Sequence, residues 1–584
     1  MRFIVAIVSF VIAFLMISYG IAQRTFLAEP DHVAAAANIS TDARATVIPG
    51  TVLNSTDGRQ KIEISGANTI FAAYGRTTDV LGWLGDSSYN ELGIDAKTSK
   101  LSSKLVRGDP ADLPDPHGSD MWLGEYTRDR DLTFIVNLPS DISVLIISDG
   151  KVPAPGHISV TWPVDNRTPW SGPLIVGGVL LLLVGLGLYL WALSHLRKLR
   201  GPRRRPPRMP RAPRQLNYKP KRKAITAAKG RRSITRMSAL VPVVLVGTLT
   251  LAGCSADLWP DFQSGISGSS PSPTASDATQ PTKDEKPPVV TATQLESIVT
   301  TISTVAQKAD AAHDAALIAT RFAGPALALR KANYAIRTVD GSFAAPQAIP
   351  SGPVQVTLPQ QNDTWPRTVF TVVKDAADDT VPPMALMLVQ SSARENYKVV
   401  YAVALEANAP TLKTAAAEVG TQRLNPDVKV LTVPPGEVAA EYGDILLKGQ
   451  DSEFYSKFDI ENDSLEKSIG SAAKAKRKKG LPPIVSITFA NAPGDAEVIA
   501  MASNDSGAIV AAYLTETETV KPTEAGAVIN AEGAVKSLSK VSSTTKGTVA
   551  TYGDQLLFYI PPLTSDGKIV VLGFASALIA AKEL

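Results

Sequence analysis

The stretch from Arg231 to Ser255, RRSITRMSALVPVVLVGTLTLAGCS, decides how the rest of the chain is organised. Three arginines precede an apolar run from Ala239 to Leu251, and the run ends in Leu251-Ala252-Gly253-Cys254. Cys254 is the single cysteine of the 584-residue chain, so an intramolecular disulfide cannot account for it. The apolar run is shorter than the roughly 20 residues that a membrane-spanning helix requires. This shortness favours a processed signal over a permanent span.

The stretch resembles a bacterial lipoprotein signal, in which a positive segment and a short apolar segment precede a lipobox. The resemblance implies that Leu251, Ala252 and Gly253 form the signal peptidase motif and that the thiol of Cys254 is lipidated. Such signals normally open a protein, so cleavage here would turn one reading frame into a membrane protein and a separate lipoprotein. Without cleavage, residues 238–254 would be a third membrane-spanning segment. In both cases the chain after Cys254 is predicted to lie outside the cytoplasm.

Two other apolar runs predict membrane-spanning helices. Residues 1–22 are predicted to be a retained anchor because the run of 20 from Phe3 is long enough to span; a removable signal peptide is the alternative. Residues 173–195 form the second predicted helix, with aromatic residues at its ends and cations directly after it, which orients it from outside to inside. Gly178 and Gly185 share a face of this helix, and simple tolerance of glycine in lipid is favoured over a helix contact.

The segment between the second helix and the lipobox, residues 196–237, is strongly basic. From Arg197 to Arg236 it holds 17 Lys and Arg and no Asp or Glu, whereas the rest of the chain has 42 basic and 55 acidic residues. Lys and Arg residues next to membrane spans tend to stay on the cytoplasmic side, and this tendency explains the charge of the segment. Anionic lipid is therefore the expected partner, and nucleic acid is not. The segment is rich in proline and predicted to be disordered. Residues 255–290, rich in Ser, Pro and Thr, are predicted to be a disordered tether.

Residues 23–172 are predicted to form a β-sandwich-like extracytoplasmic domain. Short alternating or β-branched runs separated by turn residues predict its strands: Lys61 to Ile64, Thr69 to Ala73, Leu132 to Leu138, Ile142 to Ile147 and His157 to Trp162. The acidic loop from Asp109 to Asp120 suggests a site for calcium or another metal, but its spacing matches no known ligand loop. A solvated loop is therefore the favoured interpretation.

The distal half is predicted to be α+β, with residues 291–410 and 411–584 as separate domains. A capping box at Thr293 and Glu296 predicts the first helix, and helices followed by strands then occur twice, with one helix of the second set predicted from Ser464 to Lys478. This order is similar to the cone of the NTF2-like superfamily, which would imply tandem cones; another pair of α+β domains is the alternative.

A second resemblance rests on short landmarks in the distal half. They are Arg321, Gly324-Pro325-Ala326-Leu327, Arg330, Tyr334, Trp365-Pro366-Arg367 and Tyr397-Lys398. These residues look like recurring landmarks of uncharacterised actinobacterial envelope proteins. The resemblance implies no particular activity.

The sequence contains no clear catalytic constellation, metal site or cofactor motif, so no catalytic residue and no cofactor is assigned. Asp310 and His313 have the spacing of a base and its orienter, although an ordinary helix surface explains them equally well.

The distal half also has a concentrated basic cluster, for which a solvated helix end is favoured and contact with an anionic polymer is the alternative. The cluster consists of Lys474, Lys476, Arg477, Lys478 and Lys479.

These patterns together predict a multi-pass protein of a bacterial cell membrane with both folded regions extracytoplasmic. The predicted role is a scaffold or binding component, with an envelope polymer or another membrane protein as partner. The alternative is an enzyme or transfer factor for a lipid-linked or cell-wall polysaccharide substrate, using a pocket in the distal domains. A third hypothesis is a signalling module that reports an exterior state through the basic segment.

Overall fold

The structure, a computed structural model, describes residues 2–27, 30–95, 100–109, 111–164, 168–199, 286–378 and 380–584. The predicted lipobox, Leu251, Ala252, Gly253 and Cys254, lies outside the described residues, as do nearly all of the basic segment and most of the tether. The described residues form two compact units. One contains the two apolar helices, and the other combines residues 35–55 and 61–160 with the described residues from 286 to 584.

Up to residue 199 the chain alternates short helices with strands between two long helices. The elements are α1 (Arg2–Arg24), β1 (His32–Asn38), β2 (Ala45–Ile48), α2 (Gly50–Leu53), β3 (Gln60–Arg76), α3 (Thr77–Leu84), β4 (Tyr89–Asp95), β5 (Lys100–Val106), β6 (Gly124–Val136), β7 (Ile142–Ile147), β8 (His157–Pro163) and α4 (Ser171–Leu199).

Helices α1 and α4 are both long and apolar enough to cross a membrane. They pack antiparallel, since the ring of Phe3 at the start of α1 lies 5.9 Å from that of Tyr189 near the end of α4. Gly178 lies against α1, where an added Cβ would come 2.6 Å from Ile17 Cγ1, and Gly185 lies against Phe10. The expectation that lipid merely tolerates these glycines is wrong, because their missing side chains make room for the neighbouring helix.

The strands between α1 and α4 form one connected mixed sheet in the order β1-β8-β3-β7-β2-β4-β5, with β6 paired to β3. Every residue of β7, ISVLII, is buried. Helix α3 adds Val80 and Trp83 to the core that contains Phe71 and Leu145. The prediction of a β-rich region is confirmed in this general form. The strands predicted at residues 61–64 and 69–73 are parts of the single 17-residue strand β3.

The distal region begins with helices and ends with long strands. Its elements are α5 (Ala292–Ala312), α6 (Ala315–Ala319), α7 (Gly324–Val339), β9 (Val354–Pro359), β10 (Arg367–Val373), β11 (Met384–Gln390), β12 (Lys398–Leu405), β13 (Arg423–Leu424), α8 (Val438–Lys448), α9 (Ser464–Ile469), α10 (Ser471–Lys479), β14 (Val485–Pro493), β15 (Ile499–Ala502), β16 (Ala508–Pro522), β17 (Ile529–Asn530), α11 (Gly533–Ser539), β18 (Ser543–Thr544), β19 (Thr548–Ile560) and β20 (Val570–Glu583).

One ten-stranded sheet runs through both predicted distal domains, in the order β13-β15-β16-β19-β20-β12-β11-β10-β9, with β14 paired to β16. The connection is the short antiparallel pairing of β12 with β20, at Ala404 with Phe574 and Leu405 with Gly573. A Cβ on Gly573 would lie 2.3 Å from the carbonyl oxygen of Ala404, so the strands meet where a side chain is absent. Residues 291–410 and 411–584 therefore share a sheet, and the general α+β prediction is confirmed.

The two distal parts also share a hydrophobic core. Phe370 and Met387 from the first part pack with Ile509 and Leu557 from the second. The opposite faces of the same strands pack on helices, with Ile302 of α5 over the first part and Tyr442 of α8 over the second. Strands that are buried on both faces read as nearly continuous apolar runs, as in β11 (MALMLVQ), where six of the seven residues are buried.

Two predicted helix boundaries need correction. The capping box of α5 is formed by Thr291 and Gln294, with Gln294 N donating to Thr291 Oγ1 at 3.2 Å, and not by Thr293 and Glu296. Both pairs have the same spacing, and the sequence alone does not decide between them. The helix predicted from Ser464 to Lys478 is broken at Gly470, which is extended (ψ −173°) and separates α9 from α10.

Replacing Gly178 with leucine should weaken the packing of α1 on α4. The new side chain would overlap Ile17 and approach the carbonyl oxygen of Ala13, 3.1 Å from its Cβ position, so the helices must separate. Overpacking of this kind costs about 1–3 kcal/mol. Thermal unfolding of the full chain in detergent measures the loss. Gly187→Leu is the matched control, because no atom lies within 4 Å of a Cβ at that position, and an equal effect of both changes would contradict the assigned contact.

Candidate functional site: the junction between the folded regions

Residues 35–55 and 61–160, here called the first region, and the described residues from 286 to 584, called the distal region, contact each other within one compact unit. We call this contact the junction. At its centre the carboxylate of Asp79, in the first turn of α3, accepts a hydrogen bond from Arg367 Nη2 at 2.7 Å. The side chains are only 1% and 2% exposed. Two charges removed from water this completely are tolerated only as partners, so the pair holds the two regions in one register.

Arg76 extends the central pair toward the start of the distal region. Its Nε donates to Asp79 Oδ2 at 3.0 Å, so the carboxylate contacts an arginine from each region. The terminal nitrogens of Arg76 donate to the carbonyl oxygens of Pro288 and Val289. These carbonyls lie just before α5, and Val289 is itself buried in the distal core. One arginine of the first region thereby binds the backbone that leads into the distal fold.

An aromatic contact lies beside the central pair. The indole of Trp365 packs onto Gly82 of α3, where an added Cβ would lie 2.4 Å from Trp365 Cη2. The guanidinium of Arg367 lies over the same indole, 4.0 Å from the ring centre, and Trp365 Nε1 donates to Gln390 Oε1 at 2.9 Å. A glycine is therefore required at position 82 for the regions to approach this closely.

A second ion pair joins the regions at the end of the acidic loop. Asp120 Oδ2 accepts from Arg321 Nη1 at 2.5 Å and from the backbone N of Tyr397 at 2.8 Å. The two charged side chains are 6% and 7% exposed. Burial raises the pKa of Asp120, and Arg321 opposes this by favouring the carboxylate. Asn396 completes the contact by accepting from Asp120 N at 2.9 Å.

Arg394 of the distal region caps the other end of α3. Its Nε donates to the carbonyl oxygen of Trp83 and its Nη2 to that of Leu84, both at 2.9 Å. The last carbonyls of a helix lack partners within the helix and carry partial negative charge, so a cation is favourable there. The distal region therefore places Arg367 on the acid of the first turn and Arg394 on the last carbonyls of the same short helix.

Several landmark residues of the sequence lie at the junction. Arg321, Trp365 and Arg367 contact the first region through side chains, and Tyr397 does so through its backbone N. The Tyr397 side chain is buried near the charges of both ion pairs, and this burial raises its pKa. Sequence reasoning identified these positions but missed their partners Asp79 and Gly82, since no local pattern links residues almost 290 positions apart.

The structure does not arrange Asp310 and His313 as a base with its orienter. The carboxylate of Asp310 accepts hydrogen bonds from Arg330 Nη1 and from the hydroxyl of Tyr334, each at 2.5 Å. His313 ends α5 in a left-handed conformation with φ of 53°, and its ring stacks on Tyr334 at 6.0 Å. The landmarks Arg330 and Tyr334 thus belong to an internal network of the distal region.

The acids of the loop from Asp109 to Asp120 point to separate partners. Asp112 pairs with Arg44 at 2.9 Å, Asp115 contacts His117 at 2.5 Å, and Asp120 belongs to the junction. Within the described parts of the chain, no group of three or more His, Cys, Asp or Glu side chains could hold a metal ion.

The predicted basic cluster on α10 is divided by the fold. Lys474 is buried and pairs with Glu516 at 2.5 Å, and Arg477 pairs with Glu518 at 2.5 Å. Lys474 therefore does not belong to the surface cluster that the sequence suggested, because strand β16 supplies its partner. Arg477 is exposed but engaged with Glu518, and the exposed cations of the cluster that remain are Lys476, Lys478 and Lys479.

The distal region also contains a buried acid, Asp554, and a cavity. Asp554 of β19 is 0% exposed, and burial raises its pKa to about 6 although neighbouring Ser576 favours the charged form. A cavity of about 390 Å³ lies where α7 faces β20, close to the point where β12 and β20 separate. Its lining includes Arg330, Asn333, Met384, Gln555, Phe574 and Ser576.

We expect Asp79→Asn to destabilise the full chain strongly. The change leaves Arg367 and Arg76 facing a neutral amide in a site shielded from solvent, and removing one partner of a buried pair costs about 3–5 kcal/mol. Urea unfolding in detergent, followed by tryptophan fluorescence, measures the loss. Glu63→Gln is the control, because the pair of Lys61 and Glu63 is about half exposed and should contribute no more than about 1 kcal/mol. Equal midpoints for the two variants would refute the central role of Asp79.

Asp554 should make the distal region less stable as the pH rises. Its pKa is about 6 in the folded state and 3.8 in the reference state, so the folded chain holds its proton more tightly. This contribution is fully present below about pH 4 and is lost as the pH rises through 6. Asp554→Asn should therefore reduce the fall in the free energy of unfolding between pH 4.5 and 7.5 by about 2 kcal/mol, which is seen as a smaller drop in melting temperature. A profile unchanged from wild type, as expected for the exposed control Asp566→Asn, would count against the raised pKa.

Comparison with known proteins places the distal region in a family. A family model described as a domain of unknown function, DUF8094, matches residues 286–583. No curated protein and no solved structure matches the chain. The match covers slightly more than half of the sequence and includes the distal side of the junction, with Arg321, Arg367 and Arg394. The chain belongs to the DUF8094 family.

Proposed function

We propose that this chain is a membrane-anchored extracytoplasmic protein of the bacterial envelope that acts as a scaffold or binding component. The observation that carries the proposal is the junction, whose ion pairs Asp79 with Arg367 and Asp120 with Arg321 are almost completely withdrawn from water. A contact of this kind needs both folded regions on the same side of the membrane.

Together with the order of the segments along the chain, this requirement determines how often the chain must cross the membrane. The first region follows α1 and precedes α4, whereas the distal region follows α4. If α1 and α4 span the membrane, residue 199 lies on the opposite side from the first region. The chain must then cross back before residue 286 for the junction to form. The apolar run from Ala239 to Leu251 is the stretch of sequence suited to that second export.

The proposed topology also accounts for the charge distribution. With the first region outside, the 17 Lys and Arg between Arg197 and Arg236 lie in the cytoplasm. There they meet anionic lipid, and nucleic acid is not required to explain them. Cys254, whose lipidation the lipobox resemblance implies, would then anchor the distal region at the outer face of the same membrane.

A scaffold or binding role agrees with how the polar side chains of the junction are used. Asp79, Asp120, Arg321 and Arg367 hold the two regions together, and each is engaged by a partner on the other region. Asp310 is likewise occupied by Arg330 and Tyr334. Groups committed to such pairs are not free to transfer protons to a substrate.

The alternative, an enzyme or transfer factor for a lipid-linked or cell-wall polysaccharide, is favoured by the cavity beside α7. Its volume of about 390 Å³ is within the range of small-molecule sites, and Asn333, Gln555 and Ser576 offer neutral hydrogen-bonding groups among apolar ones. Helices covering a curled sheet around such a cavity would also agree with the resemblance to NTF2-like cones. Binding of a wall or lipid-linked saccharide fragment that Asn333→Leu abolishes would favour this alternative.

Fusions of alkaline phosphatase test the proposed topology, because this reporter is active only after export. A fusion after Leu584 should be active, and the matched fusion after Leu199 should be inactive. An inactive Leu584 fusion would place the distal region in the cytoplasm and overturn the proposal.

Mass analysis of the distal fragment from the same cells tests the lipid anchor separately. Wild-type fragment should begin at Cys254 and carry a diacylglyceryl group, whereas Cys254→Ala should give an uncleaved chain without lipid. An active Leu584 fusion with an unlipidated wild-type chain would keep the topology and replace the lipobox by a third span.

A further inference from the structure

We propose that the junction is a subunit interface, through which the distal region stays bound to the first region after the chain between residues 199 and 286 is cut. The working protein would then be a complex of two chains made as one polypeptide. This inference rests on the proposed function only in that both regions must lie on the same side of the membrane.

The contacts that form the junction do not depend on a continuous chain. On one side they come from residues 76–121, and on the other from residues 288–397. Each named partner is held in place by its own region: Asp79 by helix α3, Arg367 by strand β10 and Arg321 by the turn before α7. Cutting between residues 199 and 286 removes none of these supports.

The degree of burial distinguishes this junction from a weak contact that needs a tether. Contacts between loosely associated domains are rich in exposed polar groups, and an exposed ion pair contributes about 0–1 kcal/mol. Here the four charged side chains of the two ion pairs, Asp79 with Arg367 and Asp120 with Arg321, are between 1% and 7% exposed. Both partners of each pair are therefore fully desolvated at the junction, and removing one partner of such a pair speeds dissociation because the other charge stays buried and unpaired.

The composition of the junction is that of a protein interface with strong anchors. Tryptophan and arginine dominate such anchors, and both recur here. Trp365 and Ala393 of the distal region pack into the hydrophobic cluster that contains Trp83 and Trp122 of the first region. The hydrophobic part of the interface thus lies directly beside the ion pair of Asp79 with Arg367.

The geometry also specifies the partner that the distal face of the junction can accept. The partner must present a short helix with a carboxylate in its first turn, as Asp79, and a glycine three residues later, as Gly82. It must leave the last carbonyls of this helix open to Arg394. Helix α3 of the same chain meets these requirements, so the first region is the partner that we assign.

The test uses the full chain, purified in detergent, with a site for a specific protease inserted after Gly268 and an affinity tag after Leu584. After complete cutting and dilution to nanomolar concentration, we expect the fragment with α1 and α4 to remain on the affinity resin with the tagged fragment. Release of the untagged wild-type fragment would overturn the inference. An active phosphatase fusion combined with such release would leave the proposed topology standing.

Variants then test whether the assigned side chains hold the fragments together. Arg367→Met should raise the dissociation constant of the cut fragments about 100-fold or more, because Asp79 loses its partner from the other region. Arg394→Ala should raise it about 10-fold, and since Arg394 is exposed this variant is expected to fold even if Arg367→Met does not. Lys478→Met, an exposed cation far from the junction in sequence, is the control. Retention of both arginine variants at the control level would refute the assigned interface.

Discussion

The structure depends on a pair of charges that are almost completely removed from water, Asp79 and Arg367. Each would be costly alone in this environment, and their mutual contact offsets that cost only at one relative position of the two regions. The close approach of Trp365 to Gly82 enforces the same position by shape. Because charge and shape agree, the junction defines how the β-rich region and the DUF8094 domain form one compact unit.

The interior of the DUF8094 domain depends on a short pairing between two strands that are distant in sequence. Strands β12 and β20 pair over only two residue pairs, yet this pairing continues one sheet through both distal parts. Where the strands then separate, a cavity remains beside α7. The position of the cavity is thus a result of the topology, and its lining, which is apolar and neutral polar apart from Arg330, explains why charge patterns in the sequence did not reveal it.

Charged residues of similar local sequence have different environments in this protein. Lys474 is buried against Glu516, whereas Lys478, one helical turn later, is exposed. The helix presents them to different surroundings, and the acid that pairs with Lys474 comes from a strand about 40 residues away. A basic run therefore predicts a helix end with many cations, but not which of them remain available to a partner.

The sequence by itself determined the features that depend on neighbouring residues. The two long apolar helices and strands such as β7 and β8 were predictable, because hydrophobic runs and their periodicity are local properties. The tertiary structure decided the pairing of β12 with β20, the contact of Gly178 with α1 and the junction itself. These contacts join residues that are distant in sequence, and their stability comes from desolvation and close packing, which exist only once the chain is folded.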